Sequence, residues 1–142
     1  FPAVARKQAI VDTLSQHGLQ LAEDHVLRGH YTPEFGYEAT KTLLTRFPDI
    51  DTILCFDDRM AIGALKACAD LGRKIPEEIA IAGAHEIPFT SFTVPALTTI
   101  SVPRFEMGIA AAESVFDRLN NKPVEKIISI KPEIIFREST PP

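Results

Sequence analysis

The stretch that decides the fold is Thr52-Ile53-Leu54-Cys55-Phe56-Asp57-Asp58-Arg59-Met60-Ala61-Ile62-Gly63-Ala64-Leu65. Its first five residues are continuously apolar and rich in β-formers, the pattern of a strand buried on both faces of a parallel sheet. Asp57 or Asp58 then caps a helix whose apolar positions, Met60, Ala61, Ala64, Leu65 and Cys68, recur at helical spacing up to Leu71. Gly72 closes it. A buried strand leading directly into a capped amphipathic helix is half of a βαβ unit. The second half follows, because after Ile75-Pro76 the run Ile79-Ala80-Ile81-Ala82 is again a buried strand, ending in the loop Gly83-Ala84-His85-Glu86-Ile87-Pro88.

The same alternation extends in both directions. Upstream, residues 3 to 17 have helical spacing, with Val4, Ile10, Val11 and Leu14 as apolar positions and Gly18 as the stop. Val26-Leu27 is read as a first short strand. Thr32-Pro33-Glu34 starts a helix with a hydroxyl cap and a proline at the first position, and this helix ends before Phe47-Pro48. Downstream, Thr98 to Val102 is a strand, and Pro103 opens a helix through Met107, Ala111, Val115 and Leu119. Lys126–Ile130 and Glu133–Phe136 are two final short strands split by Pro132. Strands alternating with helices predict an α/β fold, a three-layer α/β/α arrangement on a parallel sheet with right-handed crossovers.

Composition agrees. The 142 residues are 45% apolar and 24% charged, with net charge -4, which fits a globular domain and argues against disorder or a coiled coil. No apolar run approaches the roughly 20 residues needed to span a bilayer. No Lys/Arg block is present, so this stretch is not expected to grip nucleic acid itself. Cys55 and Cys68 sit among apolar neighbours and read as small buried hydrophobes; without a CxxC pair, a redox switch is the lesser reading. The opening Phe1-Pro2-Ala3-Val4 has neither an initiator Met nor a leader pattern, and reads as an interior part of a longer protein.

In open α/β sheets, ligands bind beyond the carboxyl ends of the strands. Tyr31, Asp57-Asp58 and His85-Glu86 follow the three upstream strands, and Arg6 lies on the opening helix. An aromatic face, a guanidinium and carboxylates are the inventory for a small polyol. Each has a plainer role available: Asp57 or Asp58 as a helix cap, Tyr31 as an aromatic at the core's edge, Arg6 as a solvated helix residue, His85 as an ordinary loop histidine. A metal site built from Asp57, Asp58, His85 and Glu86 lacks fixed ligand spacing, so no metal and no cofactor is expected. No GxSxG, P-loop or GxGxxG is present. Asp57 as a phosphoryl acceptor would need an acidic pair on the first strand, where Arg28-Gly29-His30 stands instead. The chain is not expected to be an enzyme.

Five segments in order resemble the lactose/galactose-repressor (LacI/GalR) type of bacterial transcription regulator. Phe56 to Leu65 resembles its "NDxxAxGAL" segment, Ile75 to Gly83 its "VPxDIxVxGFDD", and Pro95 to Ile100 its "PxLTTI". Phe136 to Thr140 is similar to its terminal "xREST", and Arg6 matches the arginine of "RxxGF". The resemblance implies a DNA-binding headpiece, absent from this chain, and a two-lobed effector domain of the type I periplasmic-binding-protein-like fold. Residues 1–142 would be the C-terminal part of that effector-binding and dimerisation domain. Residues from about 102 to 121 would pack on the missing first lobe, and the apolar face Met107, Ala111 and Val115 would here repack on its own lobe or on another chain.

It also implies partners: a sugar or sugar-derivative effector, a second copy of the chain, DNA only through the headpiece, no membrane, and a bacterial cytoplasmic location. By position, Arg6 clamps effector hydroxyls, Tyr31 stacks on the ligand ring, Asp57 replaces an asparagine, and His85 and Glu86 stand at the paired aspartates. Asp cannot donate as Asn does, so the effector is expected to differ from an ordinary neutral sugar, with phosphorylated or amino-bearing compounds as candidates. The dimer would form through Leu65 to Leu71 and Ile87 to Thr93, with Leu65, Ala69, Pro88, Phe89 and Phe92 as contacts. A lobe lacking half its cleft is expected to bind sugars weakly or not at all. The alternative is the lobe of a solute-binding protein for sugar uptake, which shares the fold.

Overall fold

The computed structural model describes residues 2–141. In chain order it contains α1 (Pro2–Gln16), a single 3-10 turn (Glu23–His25), α2 (Pro33–Arg46), β1 (Thr52–Leu54), α3 (Asp58–Asp70), β2 (Ala80–Ala84), β3 (Thr98–Ser101), α4 (Arg104–Leu119) and β4 (Glu133–Ile135). The sheet order is β1-β2-β3-β4. β1 and β3 flank β2 in parallel, with Ile53 opposite Ile81 and Gly83 opposite Thr99. β4 returns antiparallel to β3, Ile134 opposite Ile100.

Local chemistry sets the helices. Thr32 caps α2 by accepting from the Phe35 N–H, with Pro33 pre-set for the first turn. Asp57 caps α3 in the same way through the Arg59 N–H, and Gly72, at φ +68°, turns the chain out of it. α2 and α3 then pack at very short range. A Cβ at Gly36 would stand 2.0 Å from the Met60 carbonyl oxygen, and one at Gly63 would stand 1.9 Å from that of Pro33. Only glycine on both helices allows this approach. Beneath the pair, Ala61, Ala64, Leu65 and Cys68 of α3 join Leu44, Ile53, Ile79, Ile81 and Leu97 in one core. That core holds α3 against β2, so the strand ends and the helix cap are fixed as a unit.

Several expectations are corrected. β1 is exposed, buried, exposed along its three residues, and Leu54 is 53% exposed. Only the Ile53 face meets α3; Thr52 and Leu54 point to the opposite side, which no side chain closes over among the described residues. Val26-Leu27 forms no strand, because a two-residue run makes no ladder and the sheet ends at β1. β2 runs on through Gly83-Ala84, expected as loop. Lys126–Ile130 is unpaired, and Ile127 and Ile128 face outward. Helix α4 does not repack on its own lobe: it has no buried residue, and Met107, Ala111 and Val115 are all exposed. Its Ala110, Glu113, Ser114 and Asp117 line a hollow with Pro123, Val124, Glu125 and Ile128 of the returning segment. Among the described residues no helix is long and apolar enough to cross a membrane.

Candidate functional site

The carboxyl ends of β1 and β2 lie side by side, so the segments after them share one rim. After β1 the chain passes through Phe56 into Asp57, whose extended backbone (φ -151°, ψ 146°) turns its carboxylate back over the first turn of α3. There Arg59 grips it side-on, with Nε 2.9 Å from Oδ1 and Nη2 3.2 Å from Oδ2. After β2, His85 places Nδ1 at 3.4 Å from Asp57 Oδ2. Burial pushes the nearly enclosed Asp57 carboxyl up, but the Arg59 guanidinium and N–H, with His85 behind them, outweigh that and hold it below its usual range.

The corner carrying His85 is held by its own backbone. His85 (φ +97°) and Glu86 (φ +49°) are both left-handed, which costs of the order of 1–3 kcal/mol each in a non-glycine residue. Three consecutive amides offset this. His85 N donates to Ile100 O at 2.8 Å, Glu86 N to Thr99 Oγ1 at 3.4 Å, and Ile87 N to Asp58 Oδ2 at 2.9 Å. Asp58 is fully buried, and its other oxygen accepts from Thr99 Oγ1 at 2.5 Å. Burial pushes its carboxyl up against those two hydrogen bonds. A Cβ at Gly83 would stand 2.3 Å from Asp58 Oδ1, so β2 needs glycine there.

Arg6 reaches the same rim from α1. Its Nη1 donates to Phe56 O at 3.0 Å and its Cζ lies 4.7 Å above the Phe56 ring. Its Nε is buried and has no hydrogen-bond partner among the described residues. Arg104, opening α4, donates from Nη2 to the His85 carbonyl.

Arg6, Asp57 and His85 are therefore brought together. Tyr31 is 43% exposed, and no hydrogen bond among the described residues joins it to the others. Glu86 turns onto Arg137 (3.3 Å), which also donates to Thr90 Oγ1 and Leu97 O, so its carboxylate is engaged within the chain. Leu65 is corrected as a dimer contact: it is 6% exposed and belongs to the core, whereas Ala69, Pro88, Phe89 and Phe92 are at the surface. Sequence reading missed Phe56, Arg59, Arg104 and Arg137 as site residues; Arg59, two positions after Asp57 on the opening turn of a helix, was the one with a local signal. Two hollows lie elsewhere. One of about 450 Å³ is lined by His25, Arg46, Phe47 and Thr52, at the opposite end of β1. The other, of about 310 Å³, lies between α4 and residues 123–128. Burial pushes the Cys55 thiol up to about 12 and Cys68 up to about 11, which keeps both protonated near neutrality and gives the redox reading no support.

A parallel-dominated sheet flanked by helices, with polar side chains gathered at the carboxyl ends of its strands, defines the class: an α/β fold of the open-sheet type. The chain belongs to the periplasmic binding protein-like domain family, whose model matches residues 2–140. It is 33% identical over 138 residues to the HTH-type transcriptional repressor PurR of Pasteurella multocida (strain Pm70), covering 96% of this chain and 41% of that protein. It superimposes with a TM-score of 0.84 and 31% identity on a LacI family transcriptional regulator from Arthrobacter sp. FB24 in complex with lactose, covering 94% of this chain and 50% of that one. A sugar-binding transcriptional regulator (LacI family) from Escherichia coli, complexed with phosphate, gives a TM-score of 0.83 at 31% identity, with coverages of 90% and 46%. These homologues are transcription regulators. The chain spans about two fifths of the length of the curated relatives it matches.

Proposed function

We propose that this chain is the effector-sensing lobe of a DNA-binding transcription regulator that responds to a sugar or sugar derivative. The observation that carries this reading is the convergence of Arg6, Asp57 and His85 at the carboxyl ends of β1 and β2, in a chain homologous to LacI-family repressors. Arg6 and His85 would contact the effector directly, with Asp57 behind them orienting His85 and Arg59, and with Tyr31 and Glu86 at the margin. The effector would lie between this lobe and a second one, and would act by population shift. It favours one lobe orientation only by the difference in its affinity for the two, and that difference is what reaches a headpiece on DNA. The regulator would act as a homodimer in the bacterial cytoplasm, pairing through Ala69, Pro88, Phe89 and Phe92, and would carry out no catalysis. The uptake-protein alternative is not favoured, since the homologues are repressors.

The test uses the intact protein containing this lobe, with an operator selected from random duplexes and sugars screened by thermal shift. A sugar that raises the melting midpoint should change operator affinity. Arg6→Ala should keep operator binding and lose the sugar response by about a hundredfold, as expected for a bidentate donor in a part-buried site. A sugar response that survives Arg6→Ala undiminished would remove the proposal's basis.

A further inference from the structure

We infer that the effector presents an anionic group, a carboxylate or a phosphate, to this lobe, an inference that rests on the effector-sensing reading above. At this rim the unused donors outnumber the unused acceptors. A carboxylate offers about four acceptor positions. On Asp57 these face Arg59 N, Arg59 Nε, Arg59 Nη2 and His85 Nδ1. Asp58 serves Thr99 and Ile87, and Glu86 serves Arg137. Among the described residues Asp57 is therefore saturated and Asp58 is enclosed, so of these three acids only Glu86, at the margin and already paired through one oxygen with Arg137, keeps an acceptor for an ammonium or a hydroxyl.

Donors are in surplus. Arg6 meets no carboxylate among the described residues, and its buried Nε–H has no acceptor. A buried N–H without a partner is uncommon enough to require one. Among the described residues Arg104 is held by a carbonyl alone, and Arg59, 55% exposed, keeps one guanidinium nitrogen beyond its grip on Asp57. An acceptor-only, negatively charged group is what such a set of guanidiniums recognises. Asp57 in this setting is an electrostatic trim on Arg59 and His85, not a ligand contact for a cationic effector.

The experiment is calorimetry on the intact protein with glucose, ribose, glucosamine, gluconate, ribose phosphate and inorganic phosphate. Gluconate or ribose phosphate should bind at least about tenfold more tightly than the neutral and amino sugars, and whichever wins names the anion. The preference should weaken with added salt. Arg6→Gln should abolish it, while Asp57→Asn, which keeps the helix cap and unmasks Arg59, should increase it. A merely structural role predicts losses in both variants, and Asp57→Asn keeps the test decisive if Arg6→Gln does not fold. Neutral sugar or glucosamine binding as tightly as both anionic sugars overturns the inference, as does no binding of any anion, inorganic phosphate included. If a neutral sugar wins and shifts operator affinity, the sensing reading stands and this inference falls. If an anion wins without affecting DNA binding, the reverse holds.

Discussion

Asp58 shows how much one side chain has to reconcile. It has no exposed surface, yet it connects the start of α3 to β3 through Thr99 and to the His85 corner through Ile87. In Asp58→Asn one acceptor oxygen becomes a donor; with the oxygen kept on Ile87 N–H the new amide can only donate to the Thr99 hydroxyl, whose own O–H then lacks an acceptor, at a cost of about 1 kcal/mol measured by urea unfolding. The neighbouring acids have opposite pH signs. Asp58 is raised above 3.8, so its contribution is most favourable below 3.8 and declines as pH climbs through its folded value. Asp57 is lowered, so its contribution is complete above 3.8 and disappears as pH falls through its folded value. Acid unfolding of Asp57→Asn should therefore be shallower than that of the parent below pH 3.8, and a steeper profile would contradict the assignment. The sequence made both aspartates visible as a cap and a spare. It could not say which was which, because the difference lies in Thr99 and Ile87, residues distant in the chain.

Among the elements, the helices were readable and the strands only partly so. Thr32-Pro33, Asp57 and Gly72 are local signals that act within a turn or two of themselves. A strand needs a partner, and apolar character at Lys126–Ile130 or Val26-Leu27 does not supply one. The tail segment illustrates the non-local case. Its Ser139 was legible only as part of a motif, but it joins β2 to β3 before their own ladder begins. Ser139 N donates to Ala96 O, its carbonyl accepts from Ile81 N, its Oγ donates to Ile81 O at 2.6 Å, and Thr98 N donates to that Oγ at 2.8 Å. Ser139→Ala leaves a buried N–H and a buried carbonyl short of partners, so a loss of about 2–4 kcal/mol is expected in denaturant titration. A loss under about 0.5 kcal/mol, the size of an ordinary surface change, would show that the tail is not a structural link.

At the scale of the molecule, two apolar surfaces are open. Phe89, Phe92 and Val94 are 68%, 82% and 94% exposed, and α4 shows Phe105, Phe116 and Leu119 along its length. Large apolar side chains exposed in such number are costly in water. The isolated chain should sediment as dimers or larger species at micromolar concentration, and Phe89→Ser with Phe92→Ser should shift the distribution toward monomer. A parent chain that stays monomeric at high concentration would show that these phenylalanines do not drive association. The α/β order and the strand-end positions of Asp57 and His85 could be read from the sequence, because apolar runs and caps state them locally; Arg6, on a helix without a local signal, was legible only through the family resemblance. The exposure of α4 could not, since an amphipathic helix has the same pattern whether or not its partner is beside it.

The pinned amides of His85, Glu86 and Ile87 have one more result. A backbone whose three successive N–H groups are already committed has no slack to take up when a guest arrives. The backbone under the imidazole is set during folding, so under the proposed effector-sensing reading contact at this corner should need little backbone rearrangement, and strain introduced there would pass outward through β3 and α3 as a displacement of whole elements.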